Sequence, residues 1–456
     1  MEVVVRKYGG SSLSTFNKVL AIAERTAATR LDGHPLVMVV SARGDTTDDL
    51  LRAVDEVSGQ VRAPEVGREI DQLLATGECA SAALLALAIS RLGVPAVSLT
   101  GAQAGIRARG NPGCGVIAEV CGGRVGQLLA EGAIPVVTGF QGITDSGDVI
   151  TLGRGGSDTT AVAMAVALAA QGCEIYTDVD GVFTADPRVV PEARRLASVE
   201  AGTMAEMAFA GARVLHSRAV ELAGISGIAI HVRNALGRAP GTLISPLPLS
   251  PPAARRGEGN PMLENDGAVC AIVHDLDVAR VLVHSPKGRT DLAGDVLTAL
   301  ADLPIPIDMV ARSGPSEDEF RMGFTIRRGD IDLVRLALAD ITARSIASLR
   351  VDDDLGKVSV VGMGLLSRPG YAARMISALT AEDIATSWIS TSQLRTSAII
   401  ARHRVIRAVE VLHREFAADL SVGLRVGPSA GMKDSRVGPM GSMTLARTGT
   451  QATPLS

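Results

Sequence analysis

A glycine-rich segment of the first half runs directly into a helical pattern. The segment GRGGSDTT (153–160) is followed at once by the apolar run AVAMAVALAA. Glycines at a helix start, with Ser157 or Asp158 available as the N-cap, leave backbone N–H groups and the positive helix end open to an anion. The segment predicts a cradle for a phosphate or a carboxylate. A lone turn of this composition is more often a plain cap of a core helix, so the rest of the chain must decide.

A lysine ends the first apolar run of the chain and is followed by two glycines. Lys7 precedes Gly9 and Gly10 in the segment KYGGSS. A lysine ammonium is a compact cation that meets phosphate oxygens, and glycine lets the backbone approach them closely. Taken alone, a solvated lysine at a strand end is the commoner case. The chain has no GxxxxGK[ST] segment, so a P-loop nucleoside triphosphatase is not supported.

Short apolar runs alternate with longer Ala- and Leu-rich stretches from residue 3 to residue 245. This alternation predicts an α/β fold with a mainly parallel sheet, in which ligands lie beyond the carboxyl ends of the strands. The predicted strands are 3–5, 36–40, 94–99, 134–137 and 174–177, and the predicted helices include 19–30 and 50–57.

The pattern changes after Ser245, where prolines and charges cluster without periodicity in SPLPLSPPAARRGEGNP. We interpret residues 1–245 as one domain and 246–261 as a linker. A strand, helix and strand pattern then occurs twice, which predicts duplicated modules at 262–345 and 346–425 with a role in regulation or dimerisation. The last residues, 426–456, lack pattern and predict a disordered tail.

Composition excludes several classes of protein. With 456 residues, 46% apolar and 21% charged, the chain is long enough for two or three domains with sizeable cores. A net charge of −4 and only 2% aromatic residues argue against nucleic acid as a partner. The charged N-terminus and the short apolar stretch 161–170 predict a cytoplasmic protein without a membrane partner. The five cysteines form no CxxC pair and indicate reduced thiols.

Longer blocks follow one another in a recognisable order. They are KYGGSS (7–12), SARGDTTDDL (41–50), LLATGE (73–78), SLTGAQAGI (98–106), GFQGITDSGDVITLGRGGSDTTA (139–161) and YTDVDGVFTADPR (176–188). These blocks resemble the signature blocks of aspartokinases, within the amino acid kinase superfamily. The segments 353–370 and 387–400 resemble paired ACT domains. The resemblance implies an amino acid kinase-type three-layer αβα domain followed by two ferredoxin-like (βαββαβ) ACT domains.

The resemblance also implies a reaction, in which ATP phosphorylates the side-chain carboxylate of L-aspartate to 4-phospho-L-aspartate and Mg²⁺ bridges the phosphates. The catalytic residues would be Lys7, Asp158 and Arg154, and no protein ligand to a metal is assigned. A carboxylate is already a nucleophile, so alignment and positive charge suffice. The implied aspartate-binding residues are Ser41, Thr47, Glu78, Arg154, Gly155, Gly156 and Ser157. The implied ATP-binding residues are Lys7, Tyr8, Gly9, Gly10, Thr177, Asp178, Phe183, Asp186, Pro187, Arg188 and Arg213.

The chain departs from the family pattern near the implied substrate pocket. Cys79 stands where Arg is common after the Glu of LLxxGE, and 113–117 replaces a GNARI-like stretch. Arg213 replaces the lysine of a GAKVLH-like block, and 202–204 replaces an acidic EEM-like block. Two alternatives follow, namely an amino acid kinase of altered substrate and a non-catalytic partner subunit. His216 is assigned a structural hydrogen bond and no catalysis.

The regulatory half departs further from the family pattern. The segment 285–291 stands where SDKPG is expected, and Ala311, Arg312 and Ser313 stand where Gln-Asn is expected after the IDMV strand. The family resemblance makes these the positions of an amino-acid effector pocket. We therefore expect feedback inhibition by lysine and threonine to be weakened or lost. The second ACT copy keeps its pattern better, which predicts a homo-oligomer formed through the ACT domains.

Overall fold

The computed structural model describes most of the chain. The predicted linker beyond residue 246 and the predicted tail at 426–456 lie outside the described residues, as does the segment 287–291. The described residues are 3–58, 64–246, 269–286, 292–301, 303, 305–313, 319–345 and 347–423.

The first half contains a large sheet, a small sheet and seven helices among the described residues. The strands are β1 (Val4–Tyr8), β2 (Leu36–Val40), β3 (Ala96–Leu99), β4 (Ile106–Arg109), β5 (Val116–Val120), β6 (Ile134–Thr138), β7 (Gln141–Ile143), β8 (Val149–Thr151), β9 (Gly172–Thr177), β10 (Ser198–Glu200), β11 (Ile230–Asn234) and β12 (Thr242–Ser245). The helices are α1 (Phe16–Leu31), α2 (Thr46–Ser58), α3 (Pro64–Ser90), α4 (Gly123–Ala130), α5 (Gly156–Ala167), α6 (Ala201–Ala210) and α7 (Ser217–Ser226).

The large sheet has the strand order β10-β12-β11-β9-β1-β2-β6-β3, and β1 lies near its middle. The pairs β1–β2, β1–β9, β9–β11, β2–β6 and β3–β6 are parallel, whereas β11 and β12 are antiparallel. The prediction of a mainly parallel sheet is therefore confirmed. The small sheet, with the order β5-β4-β7-β8, was not predicted because its strands have only three to five residues each.

Helices cover both faces of the large sheet. Side chains alternate across a strand, so Val5 and Val39 contact a core that includes residues of α4, α5, α6 and α7. Tyr8 and Met38 contact the opposite core, which includes residues of α1 and α3. These two cores make a three-layer αβα domain, as expected.

One described helix is long and apolar enough to cross a membrane. It is the stretch Val66–Ser90 of α3, and half of its most apolar window is buried inside the protein. Leu85 and Ile89 are fully buried in the core that α3 shares with α1 and β2. Such burial is typical of the core helix of a folded domain.

The second half is built on one six-stranded sheet. Its helices and strands follow the strand, helix and strand pattern that the sequence predicts twice. They are β13 (Val269–Ser285), α8 (Leu292–Ala301), β14 (Asp308–Ser313), β15 (Phe320–Ile326), α9 (Ile331–Arg344), β16 (Ser348–Gly362), α10 (Gly370–Ala381), β17 (Thr386–Thr391), β18 (Arg395–Ala401), α11 (Val405–Glu415) and α12 (Ala417–Gly423).

Two βαββαβ units share the long strands β13 and β16. The sheet order is β14-β15-β13-β16-β18-β17. Residues 278–285 of β13 pair with β15 and with the start of β16, whereas 269–275 pair with 357–362. Residues 269–275 therefore lie in the sheet beside the strands of the second unit.

A cluster of charges joins both units to the first domain. Lys357 Nζ lies 2.9 Å from Asp308 Oδ2, and Arg395 lies 3.1 Å from the same carboxylate and 3.4 Å from Glu206 on α6. Both cations also lie over the ring of Phe209, at 5.4 and 5.3 Å. Burial opposes ionisation of Asp308, but Lys357 and Arg395 hold its pKa below the usual range. The cluster therefore depends on both cations.

Replacement of Lys357 by methionine should destabilise the regulatory half. Lys357 is 4% exposed, and its removal leaves Asp308 with one cation in a largely buried place. We expect a loss of about 1–3 kcal/mol, seen as a lower transition temperature in differential scanning calorimetry. The surface variant R407M, which breaks exposed pairs on α11, is the control. Equal transition temperatures for K357M and wild type would show that the cluster is not structural.

Candidate active site

An ion pair lies at the carboxyl end of the central strand. Lys7 Nζ is 2.7 Å from Asp158 Oδ1, and both side chains are about nine-tenths buried. Lys7 follows Val5 by two residues on β1, so strand alternation directs it to the face that α5 covers. Asp158 lies in the first turn of α5. The structure therefore brings these two predicted catalytic residues together.

The glycine-rich loop leads into α5 through left-handed backbone. Gly153 has φ +72° and Gly155 has φ +70°, a region that glycine adopts without strain. Gly155 is the N-cap, and no side chain caps the helix. The prediction of Ser157 or Asp158 as N-cap was wrong, because both lie inside the first turn. Gly156 N donates to Gly153 O at 3.0 Å, and without a capping side chain the N–H groups of Ser157 and Asp158 stay available to an anion.

Glu78 on α3 reaches the loop that follows β2. Its Oε1 accepts a hydrogen bond from Ala42 N at 2.8 Å, and its Oε2 is buried without a hydrogen-bond partner among the described residues. Burial raises the pKa of Glu78 to about 7, against the opposing effects of the Ala42 N–H and Lys7. An unpaired buried carboxylate oxygen suits a cationic ligand such as an ammonium group.

Glycines allow close approach where loops meet at this site. A Cβ on Gly10 would lie 2.6 Å from Ala42 O, and one on Gly139 would lie 2.6 Å from the Ser157 side chain. Gly9 N donates to Tyr176 O, at 3.3 Å. The loops after β1, β2 and β6 therefore converge on the start of α5.

Two further predicted site residues differ in how they are placed. Arg154 is exposed and has no carboxylate within ion-pair distance in the described part of the chain. Tyr8 has a fully buried ring stacked on Tyr176, with centroids 4.6 Å apart. Only the backbone of Tyr8 is therefore suitably placed for a ligand, and its carbonyl already accepts from Ser41 N at 3.1 Å. Thr47 lies half-buried in the first turn of α2.

The predicted nucleotide residues lie along the segment after β9. Thr177 Oγ1 donates to Asp178 Oδ1 at 3.0 Å, and Asp178 is exposed at the end of the strand. Asp186 accepts from the backbone and side chain of Arg188, so these two residues close a local turn. The remaining residues of this group are Phe183, which is half-buried, and Pro187, which is exposed.

Part of this nucleotide loop (177–196) packs on the regulatory half. Thr184 O accepts from Ile272 N on β13 at 2.8 Å, and Thr184 Oγ1 lies 3.1 Å from His413 Nε2 on α11. Arg213 lies 3.6 Å from Asp275 Oδ1, also on β13. Arg213 thus pairs with a carboxylate of the regulatory half and does not contact Lys7 or Asp158.

Sequence reasoning missed several polar residues at the site. Thr138, at the end of β6, has a buried hydroxyl without a hydrogen-bond partner among the described residues. Asn234, at the end of β11, donates to Asp180 at 2.8 Å and orders the loop after β9. Asp71 and Arg218 bind backbone groups beside the glycine-rich loop. Polar residues at the ends of apolar strands were the available signal for Thr138 and Asn234.

Two residues named from the sequence have structural contacts. His216 is the N-cap of α7 and accepts from Arg218 N, as expected for a structural hydrogen bond, and burial lowers its pKa. Cys79 lies beside Glu78, with its sulfur 4.0 Å from Gln141 Nε2. Burial raises the pKa of the Cys79 thiol. Cys79 therefore supplies no charge to the site.

Known families match both halves of the chain. Residues 2–234 match the amino acid kinase family, and residues 358–416 match an ACT domain. An aspartokinase of Mycolicibacterium smegmatis is 41% identical over 420 residues, which covers 91% of this chain and 96% of that protein. An aspartokinase of Thermus thermophilus is 38% identical over 421 residues, 92% of this chain and 100% of that protein.

Solved structures show the same fold. The structure of the aspartate kinase from Synechocystis aligns with this chain at a TM-score of 0.67 and 26% identity. The alignment covers 95% of this chain and 100% of the Synechocystis chain. Aspartokinase III of E. coli, in complex with aspartate and ADP, has a TM-score of 0.73 over 91% of this chain and 99% of that chain. Its identity is 23%, so this second likeness concerns the fold alone.

The fold and the matching family define a kinase of the amino acid kinase class, with ATP as the phosphoryl donor. Within that class, the chain belongs to the aspartokinase family, whose reaction is the ATP-dependent phosphorylation of aspartate. The family favours this reading over the two alternatives left open by the sequence.

The raised pKa of Glu78 predicts that the variant E78Q becomes more stable relative to wild type as the pH rises. The native state binds a proton at Glu78 up to about pH 7, well above the ordinary value of 4.5, so ionisation at higher pH destabilises the ligand-free wild type. We expect E78Q to exceed wild type by up to about 3 kcal/mol at pH 8, and the difference to shrink towards pH 5. Calorimetry across this range measures it.

The control for this prediction is E69Q, since Glu69 lies exposed on the same helix. A difference between E78Q and wild type that stays constant from pH 5 to pH 8 would contradict the buried, proton-binding state of Glu78.

Proposed function

We propose that the pair of Lys7 and Asp158 is the centre of phosphoryl transfer. The observation that carries this proposal is the 2.7 Å contact between them at the carboxyl end of β1, at the start of α5. Lys7 places a compact positive charge where phosphate oxygens gain charge, and Asp158 fixes its direction. The uncapped N-terminus of α5 adds partial positive charge on the same side.

Aspartate binds between the glycine-rich loop and Glu78 in this proposal. Arg154, exposed and without an ion pair among the described residues, grips a carboxylate in a fork. The unpaired Oε2 of Glu78 accepts the ammonium group. Ser41, Thr47 and Ser157 complete the pocket, with the backbone of Gly155 and Gly156, as the family resemblance implies.

ATP lies towards the segment after β9, with its phosphates over Gly9 and Gly10. Mg²⁺ in such enzymes is held mainly by phosphates and one or two carboxylates. The exposed carboxylate of Asp178 is available for that role. Mg²⁺ would neutralise phosphate charge. Phe183, Asp186, Pro187, Arg188 and Arg213 stay predicted nucleotide residues.

Substitution of Lys7 should remove catalysis and spare binding. We expect K7M to lower kcat by about 10²–10³-fold with little change in KM for aspartate, since charge stabilisation acts mainly on the transition state. K7R keeps the charge in another shape and should fall between K7M and wild type. Aspartate-dependent ADP release, measured with a coupled assay, gives both constants.

A single cooperative calorimetric transition in K7M and K7R, even at a lower temperature than in wild type, would exclude misfolding as the cause. Equal turnover in K7M and wild type would refute the assigned mechanism.

The regulatory half has the two ACT units that the family implies, and we propose that residues 269–275 belong to the second unit. The inferred assembly through ACT domains and the cytoplasmic location stay predictions. Ala311 and Arg312, which are expected to line the effector pocket, lie on β14. Arg312 lies over the Phe320 ring at 5.5 Å, and so a charged group lies where the family has an amide.

We therefore expect lysine and threonine, alone or together, to inhibit the activity weakly or not at all. Arg312 repels the ammonium group of either amino acid, and Ala311 offers no side-chain hydrogen bond. Titration of both effectors at an aspartate concentration near KM measures this. The double variant A311Q/R312N restores the family residues, and any sensitivity it gains would locate the loss at β14. Strong inhibition of the wild type at low effector concentration would overturn the hypothesis.

A further inference from the structure

A buried carboxylate and a half-buried guanidinium hold the segment that precedes Arg154. We propose that Asp71 and Arg218 are positioning residues, which fix the glycine-rich loop for aspartate by clamping the backbone of 113–115 against Thr151 and Leu152. This inference rests on the proposed role of Arg154 in binding aspartate.

Asp71 supplies the first half of the clamp, from α3. It is 1% exposed, and its Oδ2 accepts from Gly113 N at 3.0 Å and from Thr151 N at 2.8 Å. Its Oδ1 accepts from Thr151 Oγ1 at 2.7 Å. Burial raises the pKa of Asp71, and these hydrogen bonds oppose the rise. One carboxylate thus joins the hairpin after β4 to the end of β8.

Arg218 supplies the second half, from the first turn of α7. One guanidinium nitrogen donates to Leu152 O at 2.7 Å, and another donates to Gly115 O at 3.0 Å. The fork of Arg218 therefore joins the same two segments that Asp71 joins, through their carbonyls instead of their N–H groups. The planar guanidinium fixes the distance between two acceptors in a way that a single ammonium does not.

The two segments are in direct contact between these side chains. Gly115 N donates to Thr151 O at 2.8 Å. A Cβ on Gly115 would lie 2.9 Å from that carbonyl, and one on Gly153 would lie 2.8 Å from Gly113 O. The clamp therefore leaves no room for side chains at Gly115 or Gly153. This is the stretch, 113–117, that differs from the family pattern.

The clamp ends two residues before Arg154. Gly153 and Gly155 flank Arg154 with left-handed backbone, so the direction of the arginine depends on where Leu152 is held. His216 lies under Gly155 at the start of α7, since a Cβ on Gly155 would lie 2.1 Å from His216 Cβ. Helices α3 and α7 therefore set the loop from two sides. Displacement of a binding group by about 1 Å is enough to lower activity about 100-fold.

The test is a set of variants assayed for KM and kcat with aspartate and ATP. R218M and D71L remove each half of the clamp, and R218K and T151V remove single hydrogen bonds. D71N is the conservative variant, since its amide oxygen accepts both N–H groups while its NH₂ donates to the Thr151 hydroxyl. R68M, which breaks the exposed ion pairs of an α3 arginine with Glu69 and Asp148, is the matched control. R154A is measured in parallel.

We expect KM for aspartate to rise about tenfold or more in R218M and D71L, with KM for ATP within about twofold of wild type. R218K should lie between wild type and R218M, and D71N and R68M should stay near wild type. If R218M and D71L fail to fold, a smaller, aspartate-specific rise in R218K and T151V supports the clamp, and an unchanged KM for aspartate in both overturns it.

The proposal and the proposed function can fail separately. A raised KM for aspartate in R154A, with unchanged values in the clamp variants, would overturn the clamp and leave the role of Arg154 standing. An R154A variant with unchanged aspartate kinetics would refute the role of Arg154 itself. Equal increases in KM for aspartate and ATP, or a D71N variant as impaired as D71L, would also overturn the clamp.

Discussion

The contact between Lys7 and Asp158 is the constraint on which the catalytic domain depends. Two charges that are about nine-tenths buried must be paired, because the loss of hydration of either one alone is unfavourable. The pairing requires β1 to end beside the first turn of α5, and it therefore requires the tight loops at Gly10 and Gly139. The charged groups are then fixed before any ligand arrives, which is the condition for electrostatic catalysis.

The second constraint is the packing of the nucleotide loop on the regulatory sheet. Ala185 and Val190 lie in one hydrophobic core with Ile272, Val405 and Leu412. Apolar side chains of the predicted ATP segment are therefore part of the regulatory core. The two halves are therefore in contact through packed apolar side chains and through the hydrogen bond from Ile272 N to Thr184 O.

The sequence predicted that Lys7 and the start of α5 lie together, and the reason lies in local signals. Lys7 ends an apolar run, and 153–160 places glycines before a helix, so strand alternation and helix geometry bring Lys7 and Asp158 to one edge. The roles of Glu78 and Arg154 came from the family resemblance and not from such signals. Asp71 and Arg218 were missed because their partners are backbone groups far along the chain, which have no side-chain pattern to read.

The sequence by itself determined the α/β class, the parallel central sheet, the repeated regulatory pattern and the family. These follow from hydrophobic periodicity and from motifs whose residues are adjacent in the chain. Only the tertiary structure decided that Gly155 caps α5, that 269–275 pair with 357–362, and that Asp71 and Arg218 bind the same two backbone segments. The last two depend on hydrogen bonds between distant segments, which local patterns do not specify, and the cap depends on the left-handed backbone of Gly155.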